Sequence, residues 1–198
     1  MRAFVATKNA GKLRELRAIF AGSGWTLESY PGYAEPEEGA TSYADNAALK
    51  ARALRVQLAA AGVEGAALGD DSGIEVTALG DRPGVLSARY GGENASWSER
   101  RNALLAELAA SGSGDRSARF VCVLHFIDSA GREYSARGEV EGRLATEERG
   151  SAGFSFDPIF EYPSAGKTFA ELSEEEKNGV SHRAQAAQAL LDVVCENS

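Results

Sequence analysis

Two rhythms interleave along the chain: short apolar runs of strand length, and longer stretches with helical spacing. Arg2 to Ala6 (RAFVA) predicts a short buried strand. A polar loop from Thr7 to Lys12 follows, then a helix from about Leu13 to Phe20. Tyr30 to Glu38 is a Pro/Gly/Glu loop. Tyr43 to Ala61 is rich in Ala, Leu, Lys and Arg, lacks proline and glycine, and predicts a long helix. Ala66 to Gly69 predicts a small strand ending on Asp70 and Asp71. Gly73 to Leu79 continues extended, and Gly80 to Gly84 (GDRPG) reads as a turn.

Further along, Ser96 to Ala110 predicts a helix with Ser96 as its N-cap. Arg119 to Asp128 and Arg132 to Glu141 alternate as strands around a short Ser-Ala-Gly-Arg turn, the pattern of an antiparallel hairpin. After an irregular glycine-rich stretch, Ser173 and Glu176 form a capping box for a short helix. Ser181 caps a last helix to about Val194. Alternating helices and strands together with a hairpin predict an α/β fold with a mixed sheet.

Composition narrows the function. The 198 residues suit one domain with a sizeable core, built as two lobes. No apolar run approaches the length of a membrane span, and the first residues lack the pattern of a signal peptide, so a cytoplasmic protein is expected. Cys122 and Cys195 read as reduced thiols, and with only His125 and His182 a histidine-rich metal site is excluded. The formal charge of −8 argues against broad nucleic-acid binding. A polyphosphate can still bind if the few cations converge or a metal neutralises it.

Several segments carry candidate chemistry. Thr7, Lys8, Asn9, Ala10, Gly11 and Lys12 join a strand to a helix, where free backbone N–H groups favour anions. The Walker A spacing is missing, and from the loop alone an ordinary polar connection is the better reading. Adjacent acids Asp70 and Asp71 suit Mg²⁺, which takes a few carboxylates plus water and phosphate oxygens; a solvated acidic turn is the alternative. Only one of the pair can face a given side of an extended chain. Glu35, Glu37 and Glu38 lie ahead of the long helix, where acids also suit the helix dipole. Asn46 and Lys50, four apart, share a helix face. Gly153-Phe154-Ser155-Phe156-Asp157-Pro158 offers an aromatic platform for a base, with one phenylalanine expected in the core. Lys177, His182 and Arg183 sit at turns and helix starts, where local structure gains nothing from a cation.

The order of these pieces is specific. TKNAGK, EEGATSYADNAALKA, DDSGIEV, PGVLSARY, GFSFDPIF and TFAELSEEEKNGVSHRAQA together resemble the inosine triphosphate pyrophosphatase family over nearly the whole chain. The resemblance implies a mixed, elongated sheet flanked by helices, with two lobes around a central cleft. It implies a homodimer that hydrolyses ITP, dITP and XTP to the monophosphate and pyrophosphate with Mg²⁺. By the same resemblance Thr7 to Lys12 cradle the triphosphate, Glu38 and Asp71 hold Mg²⁺, and Lys50 contacts phosphate. Asp71 is then the catalytic residue, with Ser72 beside the substrate. Phe154 stacks on the base, and Ser155, Phe156, Asp157, Lys177, His182 and Arg183 complete the contacts.

Two departures stand out. Ser155 and Phe156 replace the family's usual glycine and tyrosine, and Glu38-Gly39-Ala40 places glycine one position early, which leaves Glu37 and Glu38 as alternatives for the metal. Three rival functions remain to be discriminated. Against a pyrimidine triphosphatase, the Phe154 platform and Ser181-His182-Arg183 favour purines; a non-catalytic nucleotide-binding module could dispense with Asp71 and Glu38; and a purely structural protein leaves the converging Lys, Asp and aromatic motifs unexplained.

Overall fold

The computed structural model describes residues 1–39 and 42–197. Ala40, one of the two departures, and Thr41 lie outside them. In chain order the elements are β1 (Arg2–Ala6), α1 (Ala10–Ile19), β2 (Thr26–Ser29), α2 (Tyr43–Ala60), β3 (Ala66–Val76) and β4 (Arg82–Pro83). Then come α3 (Trp97–Ala110), β5 (Ser117–Ile127), β6 (Glu133–Leu144), β7 (Phe160–Tyr162), β8 (Lys167–Thr168), α4 (Glu174–Val180) and α5 (His182–Glu196). The sheet runs β2-β1-β3-β5-β6-β7-β8, with β4 paired to β3. β1 is parallel to both β2 and β3, whereas β3–β4, β6–β7 and β7–β8 are antiparallel. The expected mixed α/β sheet flanked by helices is therefore present. No helix among the described residues is long and apolar enough to cross a membrane.

The chain divides into two compact units. The first comprises Met1–Asp71, Cys122–Gly138 and His182–Ser198, the second Ser72–Val121 and Glu139–Ser181. In the first unit, strand alternation sends Ala3, Val5 and Leu68 to one face, packed with Leu16 of α1, Phe20 at its C-terminal cap, and Ala186, Ala187 and Leu190 of α5. Phe4, Ala6 and Ala67 face the other way, against Leu54 and Leu58 of α2. In the second unit Ile74, Leu104, Phe120, Val140, Phe156, Phe160 and Phe169 share one core. The Phe120 and Phe160 ring centroids there lie 4.4 Å apart.

Three segments differ from the sequence expectation, which also does not foresee three short strands. The first helix starts at Ala10 because the Asn9 side chain caps it, accepting from Gly11 N at 2.9 Å and Lys12 N at 3.2 Å. β3 does not stop at the paired acids but runs unbroken for 11 residues, since both carboxylates find cationic partners inside the protein. The GDRPG segment turns at Gly80 and Asp81, both at positive φ, and then pairs Arg82 and Pro83 with β3. β2, β7 and β8 escape sequence reading because strands of two to four residues are too short to show a period.

Close helix–strand packing depends on one glycine in particular. A Cβ at Gly69 would lie 2.1 Å from the Ala47 backbone carbonyl of α2. Gly69→Ala is expected to push α2 away from β3 and to cost about 1–3 kcal/mol of stability, read from urea denaturation. An unchanged midpoint would contradict this account of the contact.

Candidate active site

The site begins with the alternation of β3. Ala67, Gly69 and Asp71 share the face covered by α2, while Leu68 and Asp70 share the face covered by α1 and α5. The two neighbouring acids therefore enter different surroundings.

On the α2 side, Lys50 Nζ lies 2.9 Å from Asp71 Oδ1 and 2.5 Å from Glu38 Oε1. It also reaches the Asp70 backbone carbonyl at 3.3 Å. One helical turn earlier, Asn46 Nδ2 donates to Asp71 Oδ2 at 3.2 Å. Asn46 and Lys50 thus hold one carboxylate oxygen each, as their spacing of four predicted. Asp71 is only 5% exposed. Burial pushes its carboxyl above the ordinary carboxylate range, outweighing Lys50 and Lys12, and Glu38 adds to the rise. Burial pulls Lys50 down, but Asp71 and Glu38 together outweigh it and hold the ammonium above the usual lysine range.

Asp70 faces a different set of groups. Its carboxylate pairs with the Lys12 ammonium, accepts from Arg183 Nε at 2.9 Å, and lies 3.4 Å from the Cys122 thiol. Arg183 in turn pairs through Nη1 with Glu15. Burial alone would raise Asp70, but Arg183 and Lys12 overcome it and hold the carboxyl well below the usual range. Arg183 is 2% exposed, and Asp70 and Glu15 keep its guanidinium charged.

The expected phosphate loop is more ordered than its sequence suggests. Thr7 Oγ1 accepts from Asn9 N at 3.0 Å, Lys8 N donates to Glu35 Oε1 at 3.3 Å, and Asn9 takes the N–H groups of Gly11 and Lys12. Lys8 and Ala10 are exposed; Thr7, Asn9, Gly11 and Lys12 are half-buried.

In the second unit, Phe154 N donates to Asp157 Oδ2 at 2.7 Å, and Lys177 Nζ lies 2.6 Å from the same oxygen. That ammonium sits 5.1 Å from the centre of the half-buried Phe154 ring. A Cβ at Gly153 would meet Asp157 Oδ2 at 2.2 Å, so the loop needs glycine there. Ser155 adopts φ 59°, the left-handed region that favours glycine. Arg101 Nη1 holds its carbonyl at 2.8 Å.

Phe156, expected beside the substrate, is instead fully buried and packs edge-on against Trp97. An apolar ring without a hydroxyl belongs in this core, and the loop's side-chain platform is Phe154 alone. Ser72 is half-buried directly after Asp71, and His182 is buried at the start of α5, its carbonyl against Gly138.

Four of the expected cations are paired with carboxylates: Lys12 and Arg183 share Asp70, Lys50 has Asp71 and Glu38, and Lys177 has Asp157. Buried ammonium groups without partners would be too costly to keep. Glu15 gave no signal in the sequence, because a charged helix residue ordinarily reads as part of a solvated face. Among the described residues no group of three or more His, Cys, Asp or Glu is placed to hold a metal ion. Two carboxylates, Glu38 and Asp71, do converge around one positive charge.

The profile of the Ham1 family matches residues 3–193. A dITP/XTP pyrophosphatase from Thermus thermophilus is 46% identical over 195 residues, covering 97% of this chain and 91% of that protein. One from Geobacter sulfurreducens is 43% identical over 195 residues, covering 96% and 95%. Among solved structures, a HAM1 protein from Coxiella burnetii superposes with a TM-score of 0.84 at 36% identity, covering 99% of each chain.

Two substitutions test the geometry. Asp70→Asn leaves buried cations undercompensated and is expected to cost about 3 kcal/mol or more near neutral pH. Because folding depresses the Asp70 pKa, its stabilisation is complete above the unfolded carboxyl value of about 4 and is lost as pH falls through the folded value. The gap between wild type and variant should therefore close in acid; thermal melts that stay equally separated at low pH would contradict this. Ser155→Gly relieves a left-handed serine and should gain up to about 1 kcal/mol in denaturant titration.

Proposed function

We propose that this chain, which belongs to the Ham1 family, hydrolyses ITP, dITP and XTP to the monophosphate and pyrophosphate in a Mg²⁺-dependent reaction. Family membership makes it an enzyme, a pyrophosphatase of the hydrolase class. The observation that carries the finer reading is the pair of carboxylates, Glu38 and Asp71, drawn together by Lys50 beside Asn46. Names of relatives that act on dITP and XTP support the substrate class.

The donor set fits Mg²⁺. This ion takes one or two carboxylates and fills its remaining positions with water and substrate phosphate. A buried carboxyl that stays raised despite two lysines is still short of positive charge, which a divalent cation would supply. When bound, the ion would neutralise triphosphate charge and act as a Lewis acid.

The chain's own residues supply position. Lys50, which lies between Glu38 and Asp71, is assigned to phosphate. Lys12 is assigned a second phosphate contact through its ammonium, since the Gly11 and Lys12 N–H groups at the start of α1 are already taken by Asn9. Asn46 fixes the Asp71 carboxylate so that it can orient a water for attack on the α-phosphorus. A divalent cation on Asp71 would lower its pKa again, so its assigned role is to position the attacking water rather than to take the proton itself. Phe154, with Lys177 over its ring, is assigned to the base. The 6-oxo acceptor of inosine and xanthine is assigned to donors at the start of α5, His182 and Arg183. Asp70 and Glu15 hold Arg183 in place in advance. Adenine presents a donor at position 6 and leaves such groups unpaired, which can discriminate by about 10⁴.

Asp71→Asn is expected to lower pyrophosphate release by about 10²–10⁴-fold while nucleotide binding persists. The check is a panel of ITP, XTP, dITP, GTP, ATP and dTTP assayed with and without Mg²⁺. Near wild-type turnover in the variant would sink the assignment of Asp71. Equal rates on ITP and dTTP would sink the purine reading.

A further inference from the structure

The second unit contains a cavity of about 470 Å³ that no part of the proposed reaction uses. Arg116, Arg143 and Arg149 line it, with Asp115, Thr146 and Glu161. Its volume falls in the range of small-molecule sites. Three guanidinium groups face two carboxylates here, on a chain whose formal charge is −8.

The three arginines are braced from behind. Arg116 donates through Nε to the Leu144 carbonyl at 2.6 Å and through Nη2 to the Ala145 carbonyl. Arg143 binds Glu161 Oε1 through Nε at 2.8 Å and through Nη2. Arg149 binds Glu161 Oε2 through Nη2 at 2.9 Å, and its Nε lies 3.3 Å from Glu171. Glu161 spends both oxygens bridging two guanidinium groups, and the Asp115 carboxylate accepts from its own loop, at Ser117 N, at 2.8 Å. Among the described residues, no protein acceptor engages Nη1 of any of the three arginines. Planar donors held in advance, each with an unused nitrogen, suit the oxygens of phosphate rather than a neutral ligand. Holding them beforehand also lowers the entropy cost of binding.

We propose that this cavity is a second anion site, one that binds a phosphate oxyanion through Arg116, Arg143 and Arg149. Inorganic phosphate, pyrophosphate and a nucleoside monophosphate share the chemistry it recognises. The site uses no residue of the Asp71 cluster, so it stands or falls separately from the proposed reaction.

The test is calorimetric titration of the full chain with inorganic pyrophosphate, orthophosphate and inosine monophosphate in turn, with sulfate as a control. The wild type is compared with an Arg143→Gln, Arg149→Gln double variant and with Arg143→Lys. Arg116 is left alone because it braces two backbone carbonyls. The double variant should weaken one phosphate-ligand site at least about tenfold. Because it also leaves the buried Glu161 carboxylate without its two guanidinium partners, its melting point should fall, and binding and triphosphate turnover are read well below that point, with turnover retained. Arg143→Lys, which keeps a positive charge beside Glu161, should retain the fold and part of the affinity. The ligand bound most tightly identifies the source. Equal affinities in wild type and double variant, no binding to the wild type, or sulfate binding as tight as the best phosphate ligand would overturn the proposal. Absence of turnover in the wild type would refute the proposed reaction and leave this result intact.

Discussion

Everything in the candidate site depends on keeping two adjacent carboxylates in the middle of a buried strand. Asp70 and Asp71 are both almost wholly inside the protein, where an unpaired charge would cost several kcal/mol. Strand alternation separates them, and each side provides its own cations. Lys12, Asp70, Arg183 and Glu15 form a chain that ties α1, β3 and α5 together. Lys50 ties α2 to Asp71 and to the segment before it through Glu38. The charges that suit the chemistry also hold the helices to the strand.

The two carboxylates are compensated unequally, and this separates their roles. Asp70, with a guanidinium and an ammonium, is held deep in its ionised form. Asp71 keeps a raised pKa despite its lysines and so retains capacity for further positive charge or for a proton. Permanent neutralisation suits a residue that positions others; incomplete neutralisation suits one that meets a cation and a water. The two acids thus differ in their electrostatic surroundings, and the proposed assignment of Asp71 rather than Asp70 rests on that difference together with the resemblance.

In the second unit a compact motif does comparable work with fewer charges. Asp157 accepts from the Phe154 backbone and from Lys177, and Lys177 lies over the Phe154 ring. The backbone turn that permits this needs Gly153 and places Ser155 in a left-handed conformation. The replaced tyrosine position, Phe156, is absorbed into the core beside Trp97. Ser155 and Phe156 are thereby accommodated, one in a left-handed backbone and the other by burial.

Much of this protein is determined by local chemistry that the sequence alone displays. Helical composition placed α2, the Ser96 and Ser173 caps placed α3 and α4, and alternation placed the hairpin of β5 and β6, because these signals lie within a few residues of one another. The spacing of Asn46 and Lys50 likewise foretold that both would reach one site. Tertiary structure decided what depends on partners distant in the chain. β3 continues through its acids only because Lys12, Lys50 and Arg183 arrive from three separate helices. The burial of Phe156, the pairing of Glu15 with Arg183 and the three arginines around one cavity were likewise hidden. A charge or ring in a sequence carries its chemistry, but its neighbours, and hence its pKa and its exposure, exist only once the chain has folded.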